Sequence, residues 1–410
     1  MIKKASIFAL VICLLLVLLS PGLVQAQGGL TILDSLAEAE FPLTLRFNLS
    51  ARSDADVTDI RLHYTVDRES YAQVSSEVYI EFVPATTVAV EWVWDMRRTG
   101  GLPPGTSVEY WWTVRDARGD KIETTPVRTR FDDERYPWQS LTEGNVTIYW
   151  YEGGQTFADE IMVAAEQALA RLVEDTGAYL KKPVRLYIYA DTRDLQGAMI
   201  FPQEWTGGVA FTRYGVIVIG ISPNNLVWGQ RAITHELTHL VIHQMTFNPY
   251  ADLPAWLNEG LAMYAEGRLE VDYKALLQRA IAEKSLLSVR SLSSPFSARA
   301  EESYLSYAQS YGLVEFLITG YGQAKMLSLL NTFSVGSSYD GALEKVYGFD
   351  MDGLDALWRE KVTMPVRPSE VKVPIPVRSG IFLTKNPFIP LVFLNGVCYT
   401  DNRYFVNQGG

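Results

Sequence analysis

The chain has 410 residues, of which 48% are hydrophobic and 20% are charged. This composition excludes an intrinsically disordered chain, and the length allows two or three globular domains. The net charge of −11 at pH 7 argues against nucleic acid as a partner, because phosphate backbones are bound by basic surfaces.

Residues 1–26 are predicted to be a secretory signal. Two lysines precede an uncharged apolar run, Ala5–Leu19, and the letters VQA at 24–26 form a cleavage sequence. The run is shorter than the roughly 20 residues of a membrane span, and an uncleaved segment that attaches the chain to a membrane is the alternative. We therefore expect an extracytoplasmic protein, secreted or at the cell surface. After cleavage Cys398 is the remaining cysteine, which excludes a disulfide within the chain.

Residues 30–135 are predicted to form an all-β sandwich. Runs of alternating polarity are separated by Gly, Pro and Asp turn signals, and their spacing fits about seven strands. The predicted strands are Phe41–Leu49, Ile60–Val66, Glu77–Val83, Thr87–Asp95, Ser107–Arg115 and Lys121–Phe131. The stretch LPPGTSVEYWWTVRDARGD, which begins at Leu102, resembles the late strands of fibronectin type III and immunoglobulin-like modules. Such a module is expected to position or space an enzyme.

A polar hinge is predicted at residues 136–145, and a domain of mixed α/β and then helical character is predicted over residues 140–362. Its elements follow the apolar periodicity of the sequence and its Gly and Pro punctuation. They are strands at Val146–Tyr151 and Val184–Ala190, paired strands at Gly208–Ile221, and helices at Thr156–Thr176, Trp228–Thr246, Pro254–Leu269, Tyr273–Lys284, Glu301–Thr319, Gln323–Thr332, Tyr339–Tyr347 and Met351–Val362.

The helix predicted at Trp228–Thr246 contains the letters HELTH. His235 and His239 are four residues apart, so they lie on one face of a helix and can bind one zinc ion. Glu236 follows the first histidine, where it can reach a metal-bound water. The chain has four histidines, and three of them fall in this helix. The alternative is an amphipathic helix whose histidines pack or face solvent.

A catalytic zinc site needs a third protein ligand and keeps its fourth position open. Glu259, twenty residues after His239, is the candidate for that ligand. It lies in an otherwise apolar run, PAWLNEGLAMYAEG, where an isolated buried carboxylate is costly unless it is paired or bound to a metal.

The motif HExxH followed by NE on a second helix resembles the gluzincin metallopeptidases, and WLNEGLA is similar to the glutamate-bearing helix of gluzincin aminopeptidases. The overall pattern is most similar to the bacterial peptidase MA-like family, over roughly residues 140–362. The resemblance implies that His235, His239 and Glu259 bind Zn²⁺ and that Glu236 is the general base. It also implies a thermolysin-like α+β fold, in which the strand beside the zinc helix binds the peptide substrate through its backbone. In this chain that strand contains Gly207, Gly208, Val209 and Ala210.

Two departures from related patterns narrow the prediction. Gluzincin aminopeptidases carry a GAMEN segment on the edge strand, whereas this chain reads GGVAF from Gly207, without a carboxylate, so exopeptidase activity is unsupported. The metzincin pattern requires Gly at position 242 and His at position 245, whereas this chain has Ile242 and Met245. His243, one turn beyond His239, is interpreted as a residue outside the ligand set.

The helix predicted at Glu301–Thr319 carries tyrosines at helical spacing. Gluzincins use a Tyr or His side chain to stabilise the oxyanion, and Tyr307 is the candidate here, with Tyr311 next. The alternative is that these tyrosines pack one face of the helix.

Residues 363–410 are predicted to be a Pro-rich linker and a tail. The complete prediction is a multidomain protein, an N-terminal all-β sandwich followed by a thermolysin-like metallopeptidase domain, that hydrolyses peptides or proteins with zinc-activated water. Two alternatives stay open, namely a zinc-dependent amidase or esterase acting on cell-wall material and a catalytically inactive binding module. The oligomeric state is not predicted.

Overall fold

The computed structural model describes residues 29–364 except 73, 203–205 and 298–299. The predicted signal, residues 1–26, and nearly all of the predicted linker and tail, residues 363–410, lie outside the described residues. Within the described part of the chain, no helix is both long and apolar enough to cross a bilayer.

The first part of the described chain contains seven strands that hydrogen-bond into one branched sheet. Alternate residues along these strands are buried, as expected for strands with one face on a core. The strands are β1 (Thr31–Glu40), β2 (Thr44–Val66), β3 (Ser76–Tyr79), β4 (Ala85–Asp95), β5 (Thr106–Asp116), β6 (Lys121–Glu123) and β7 (Val127–Phe131).

The long strand β2 belongs to both layers of the sandwich. Its first half pairs with β1 and β4, and its second half pairs with β3 and β5, with register shifts between Arg52 and Val57. Side chains from both halves share one core, which includes the fully buried Phe47, Leu62 and Trp112. The sequence prediction of two separate strands, at 41–49 and 60–66, was therefore wrong in detail, because the chain crosses between the layers without leaving extended conformation.

A second sheet of five strands supports the helical part of the molecule, in the order β11-β12-β10-β9-β8. The central strands β9, β10 and β12 are parallel, whereas β8 and β11 run antiparallel at the two edges. The strands are β8 (Gln139–Glu143), β9 (Val146–Trp150), β10 (Val184–Tyr189), β11 (Gly208–Phe211) and β12 (Val216–Gly220). The polar hinge predicted at residues 136–145 was wrong, because β8 occupies half of it and pairs with β9.

Nine helices are described between Gly154 and Thr363. They are α1 (Gly154–Thr176), α2 (Thr192–Gln196), α3 (Leu226–Thr246), α4 (Ala255–Ala265), α5 (Val271–Glu283), α6 (Ala300–Tyr321), α7 (Gln323–Ser334), α8 (Tyr339–Tyr347) and α9 (Met351–Thr363). Apolar residues of α1 and α3 cover one face of the second sheet, and a separate core is built almost entirely from helices. The predicted fold class, a β-sandwich followed by an α+β peptidase domain, is confirmed.

The sandwich and the second sheet are joined by buried polar contacts. Asp133 is buried and accepts hydrogen bonds from the guanidinium of Arg135 and from the hydroxyl of Tyr189, at 2.7 and 2.9 Å. The guanidinium of Arg185 on β10 donates to the carbonyl of Gly105 in the sandwich at 2.6 Å. Because each charged group has a hydrogen-bond partner on the other side of the junction, the two parts meet through a specific interface.

Candidate metal centre

Helix α3 presents two histidines to the interior of the molecule. His235 and His239 lie one turn apart, and their ring centroids are 4.8 Å from each other. The neighbouring apolar residues Ile233, Leu237 and Leu240 are buried against α1 and the second sheet. This packing fixes the rotation of α3 about its axis, so both imidazoles are held on the face that meets α4.

Helix α4 brings Glu259 to these histidines. The helix begins immediately after Pro254, whose extended backbone suits the residue that precedes a helix. The next residue after Glu259, Gly260, faces α6 so closely that a Cβ atom there would lie 2.5 Å from the carbonyl oxygen of Ser310. The absence of a side chain at position 260 thus permits the close approach of α4 and α6, and Glu259 is fully buried as a result.

The three predicted ligands form one cluster. Oε2 of Glu259 lies 3.5 Å from Nε2 of His235 and 3.6 Å from Nε2 of His239, and the three ligand atoms lie within 4.8 Å of one another. Tetrahedral zinc with bonds of about 2.0–2.2 Å separates its ligand atoms by roughly 3.3–3.6 Å. Neither oxygen of Glu259 accepts a hydrogen bond from the described residues. The donor set and its spacing therefore fit a zinc ion.

Each histidine is oriented by a hydrogen bond from its other ring nitrogen. Nδ1 of His235 contacts Oε1 of Glu266 at 2.7 Å, and the guanidinium of Arg231 donates to Oε2 of the same carboxylate at 2.6 Å. Nδ1 of His239 contacts Oδ1 of Asn258 at 3.2 Å. Such outer partners fix which nitrogen faces the metal and raise the basicity of the ligand.

The sequence prediction missed these outer partners. A signal for one of them was present, because Glu266 follows Glu259 by seven residues and so falls on the same face of the helix two turns later. Asn258 is the residue directly before Glu259. Nothing in the local sequence distinguishes Arg231 from an ordinary exposed arginine.

The site carries an excess of negative charge. The carboxylates of Glu236, Glu259 and Glu266 are buried or nearly so, and Arg231 is the cation that contacts one of them. Arg231 also contacts Glu270, so it does not balance the charges of Glu259 and Glu266, and a divalent cation would neutralise the excess. The same charges act on His235: burial alone would lower its pKa, but the neighbouring carboxylates of Glu259 and Glu266 outweigh burial and raise that pKa.

Glu236 lies between the metal ligands and the edge strand β11. Burial, together with the neighbouring charge of Glu259, raises the pKa of Glu236 to about 8. The backbone N–H of Ala210 donates to its carboxylate. A Cβ atom built on Gly208 would lie 3.4 Å from Cγ of Glu236, so this strand passes directly over the carboxylate.

The structure places the four predicted substrate-binding residues at this edge. The side chains of Val209 and Ala210 are buried, so they are not open to a substrate. The carbonyl of Gly207 accepts from the N–H of Gly220, the last residue of β12, at 3.0 Å. Because backbone groups alternate along a strand, the polar groups of Gly208 and Ala210 point to the outer edge. What β11 offers to a ligand is therefore its backbone.

Of the two candidate tyrosines, Tyr307 is the one beside the metal cluster. It is buried, and its phenol interacts electrostatically with Glu259 and Glu236; burial and these charges raise its pKa well above the ordinary value, so it stays protonated. Its ring also packs edge-on against Phe296 at 5.2 Å. Tyr311 instead donates to Glu315 at 3.1 Å.

His243 contacts the sandwich rather than the metal cluster. Its Nε2 lies 3.5 Å from Oε2 of Glu69.

Among solved structures the chain is similar to an M1 zinc metallopeptidase from Deinococcus radiodurans, at 16% identity over 85% of this chain and 97% of that chain, with a TM-score of 0.35. It is also similar to OgpA from Akkermansia muciniphila, at 8% identity and a TM-score of 0.21, over 26% of this chain. The chain spans only 28% of the length of OgpA.

A third similarity concerns a β-1,3-glucan binding domain of carbohydrate-binding module family 56. It has 17% identity and a TM-score of 0.16, and it covers 24% of this chain and 96% of that chain. No curated protein matches the chain. The family model of the Peptidase MA superfamily matches residues 164–364, a range that contains every residue of the candidate metal cluster. This region of the chain therefore belongs to the Peptidase MA superfamily.

Proposed function

We propose that the protein is an extracytoplasmic zinc metallopeptidase that hydrolyses peptide bonds in peptide or protein substrates. The observation that carries the proposal is the convergence of three buried ligand atoms, from His235, His239 and Glu259, beside a second buried carboxylate, Glu236, that contacts an edge strand. The Peptidase MA match supports it. The extracytoplasmic location is supported by the signal-like sequence of residues 1–26.

Zinc, when bound, supplies a Lewis acid that polarises a carbonyl and lowers the pKa of its water. The protein's own contribution begins with His235, His239 and Glu259, which would hold the ion. Glu236 would take and return a proton, because its carboxylate is buried beside the ligand Glu259 and faces the edge strand β11. Burial of the cluster excludes bulk water, which strengthens each of these interactions.

A peptide is the substrate class that suits the neighbouring strand. An extended peptide can pair with the outer edge of β11 through its main chain. The absence of side chains at Gly207 and Gly208 lets this strand lie close to Trp228 and Glu236. Tyr307 would donate its hydroxyl to an oxyanion, a role supported by its protonated phenol and its burial near Glu259 and Glu236.

The test compares wild type with Glu236→Gln. Removing a general base typically costs about 10²–10⁴-fold in rate, so casein hydrolysis should fall by that factor while one zinc per chain is retained. Glu160→Gln, at an exposed position of α1, is the matched control and should keep wild-type activity. Casein hydrolysis that survives in Glu236→Gln would refute the assigned role. Activity of wild type on peptidoglycan but not on casein would favour the amidase alternative.

A further inference from the structure

A loop of the sandwich reaches the metal half of the molecule. This docking loop, residues 67–72, follows β2. The backbone N–H of Glu69 donates to the carbonyl of Arg213 at 2.6 Å. The carboxylate of Glu69 contacts Nε2 of His243 at 3.5 Å and accepts a hydrogen bond from the ammonium of Lys182.

The same loop makes an aromatic contact next to the charged one. The ring of Tyr71 stacks on Phe247 with centroids 4.3 Å apart and planes 8° from parallel. The hydroxyl of Tyr71 donates to the carbonyl of Asn248. The guanidinium of Arg213 lies over the other ring of this stack, 5.8 Å from the centroid of Phe247. The docking loop thus binds by backbone, charge and ring stacking.

The elements that the docking loop contacts are those that carry the site. Arg213 lies in the turn that follows β11, the strand whose Ala210 N–H bonds to Glu236. His243 lies on α3, one turn after His239. Phe247 ends α3 and begins the connection to α4, which carries Glu259. The docking loop therefore contacts the turn after β11, the helix α3 and the connection between α3 and α4.

Two of the segments that the docking loop contacts, the connection after α3 and the turn after β11, differ in their other hydrogen-bond partners. The side chain of Asn248 donates to the carbonyls of Thr246, Ala251 and Phe333, so the connection after α3 is already braced from within the helical part. The turn after β11 is different. Its described backbone partners outside its own sheet include the Glu69 N–H of the docking loop. The docking loop therefore adds a fixed point at the end of β11, beside the pairing of β11 with β12 and the packing of Ala210 in the core that α3 shares.

We propose that the docking loop is a positioning element of the hydrolytic site: it holds β11 against α3 so that the outer edge of β11 and Glu236 keep a fixed separation. The proposal rests on the proposed function. It also gives the sandwich a role within the reaction, although residues 67–72 lie outside the part of the chain that matches the superfamily. A carbohydrate or peptide partner for the sandwich is not needed to explain this loop.

The experiment uses the full chain and the double variant Glu69→Ala/Tyr71→Ala. Zinc per chain should match wild type, because the ligand cluster is built by contacts between α3 and α4. The kcat per zinc-loaded chain should fall about 10–100-fold with little change in KM, since displacement of the reacting groups by about 1 Å can cost 10²-fold. The single variant Tyr71→Phe keeps the ring stack and should retain most of the wild-type rate. Tyr79→Ala, at an exposed tyrosine of the same sandwich, is the control and should behave as wild type.

A second measurement does not depend on hydrolysis. Amide hydrogen exchange over residues 208–211 should be faster in the double variant than in the Tyr79→Ala control. The milder variant Glu69→Gln provides the same comparison if the double variant does not fold. A kcat within twofold of wild type, with unchanged exchange in β11, would overturn the positioning role. If wild type binds zinc but cleaves no peptide, the proposed function fails, and unchanged exchange then overturns the docking proposal separately.

Discussion

Replacing Glu259 by glutamine tests the metal site more directly than any assay of activity. The change keeps the shape of the side chain and removes its charge at a position that is fully buried. Neither carboxylate oxygen has a hydrogen-bond partner among the described residues, and the nearest groups are imidazole nitrogens at 3.5 and 3.6 Å. We expect opposite effects on the chain with and without zinc.

The magnitudes follow from burial and from mass action. An uncompensated buried carboxylate costs several kcal/mol, so in the presence of a chelator Glu259→Gln should unfold at the same temperature as wild type or higher. Zinc at 1,000 times its Kd stabilises wild type by about 4.1 kcal/mol, which corresponds to roughly 8–16 °C for a domain of this size. For Glu259→Gln we assume a 100-fold loss of zinc affinity, the upper end of what losing an outer partner costs. The same zinc concentration then stabilises the variant by only about 1.4 kcal/mol.

The assay is thermal unfolding of both proteins with chelator and with a fixed excess of zinc. Wild type should show the large zinc-dependent shift, and Glu259→Gln should show less than half of it. Two results would refute the reasoning: an equal zinc shift in the variant, or a variant that is much less stable than wild type under chelator. The first would mean that Glu259 is not a ligand, and the second that its charge is compensated in the fold.

Three further predictions concern the surroundings of the site. Glu266→Gln should weaken zinc binding about 10–100-fold in a competition assay with a chelating dye, whereas Glu270→Gln, at a half-exposed carboxylate, should change it far less. Gly260→Ala should lower the free energy of unfolding, measured in urea, by about 1–3 kcal/mol, because the added Cβ meets a backbone oxygen. As a control, Gly320→Ala should raise the free energy of unfolding by about 0.4–1 kcal/mol, because the Cβ there meets nothing within 4 Å. The imidazole and ammonium groups around Glu69 hold the pKa of that carboxyl below 4.5, so its stabilising effect is present above that pH and is lost as the pH falls through the lowered value. Glu69→Gln should therefore be less stable than wild type at pH 7, and the difference should shrink as the pH is lowered below 4.5.

The zinc ligands could be predicted from the sequence because the two histidines are separated by one helical turn. Two histidines four residues apart face one way on any helix, and a lone glutamate in the apolar run around Glu259 has few explanations besides a metal or a partner. The order of elements, strands first and then mixed and helical segments, predicted the fold class for a similar reason. Hydrophobic periodicity is local, so it survives without knowledge of the packing.

Local periodicity failed where two elements compete for the same residues. The predicted hinge at 136–145 has polar and turn-forming letters, but pairing with β9 makes part of it an edge strand. Likewise β2 contains a polar, turn-like stretch between its two halves, yet it remains extended because each half is paired on both sides. In both places hydrogen bonding to a distant strand outweighs the local preference.

By itself the sequence determined the ligand types, their spacing on each helix and the class of each domain, since these depend on residues within a few turns of one another. Only the tertiary structure decided that Glu266 backs His235, that the N–H of Ala210 meets Glu236 and that a sandwich loop stacks on Phe247. These contacts join segments that are distant along the chain, and the separation of the segments in space is set by how the helices and sheets pack. No pattern within either segment records that separation, because it emerges only when the buried apolar faces are brought together.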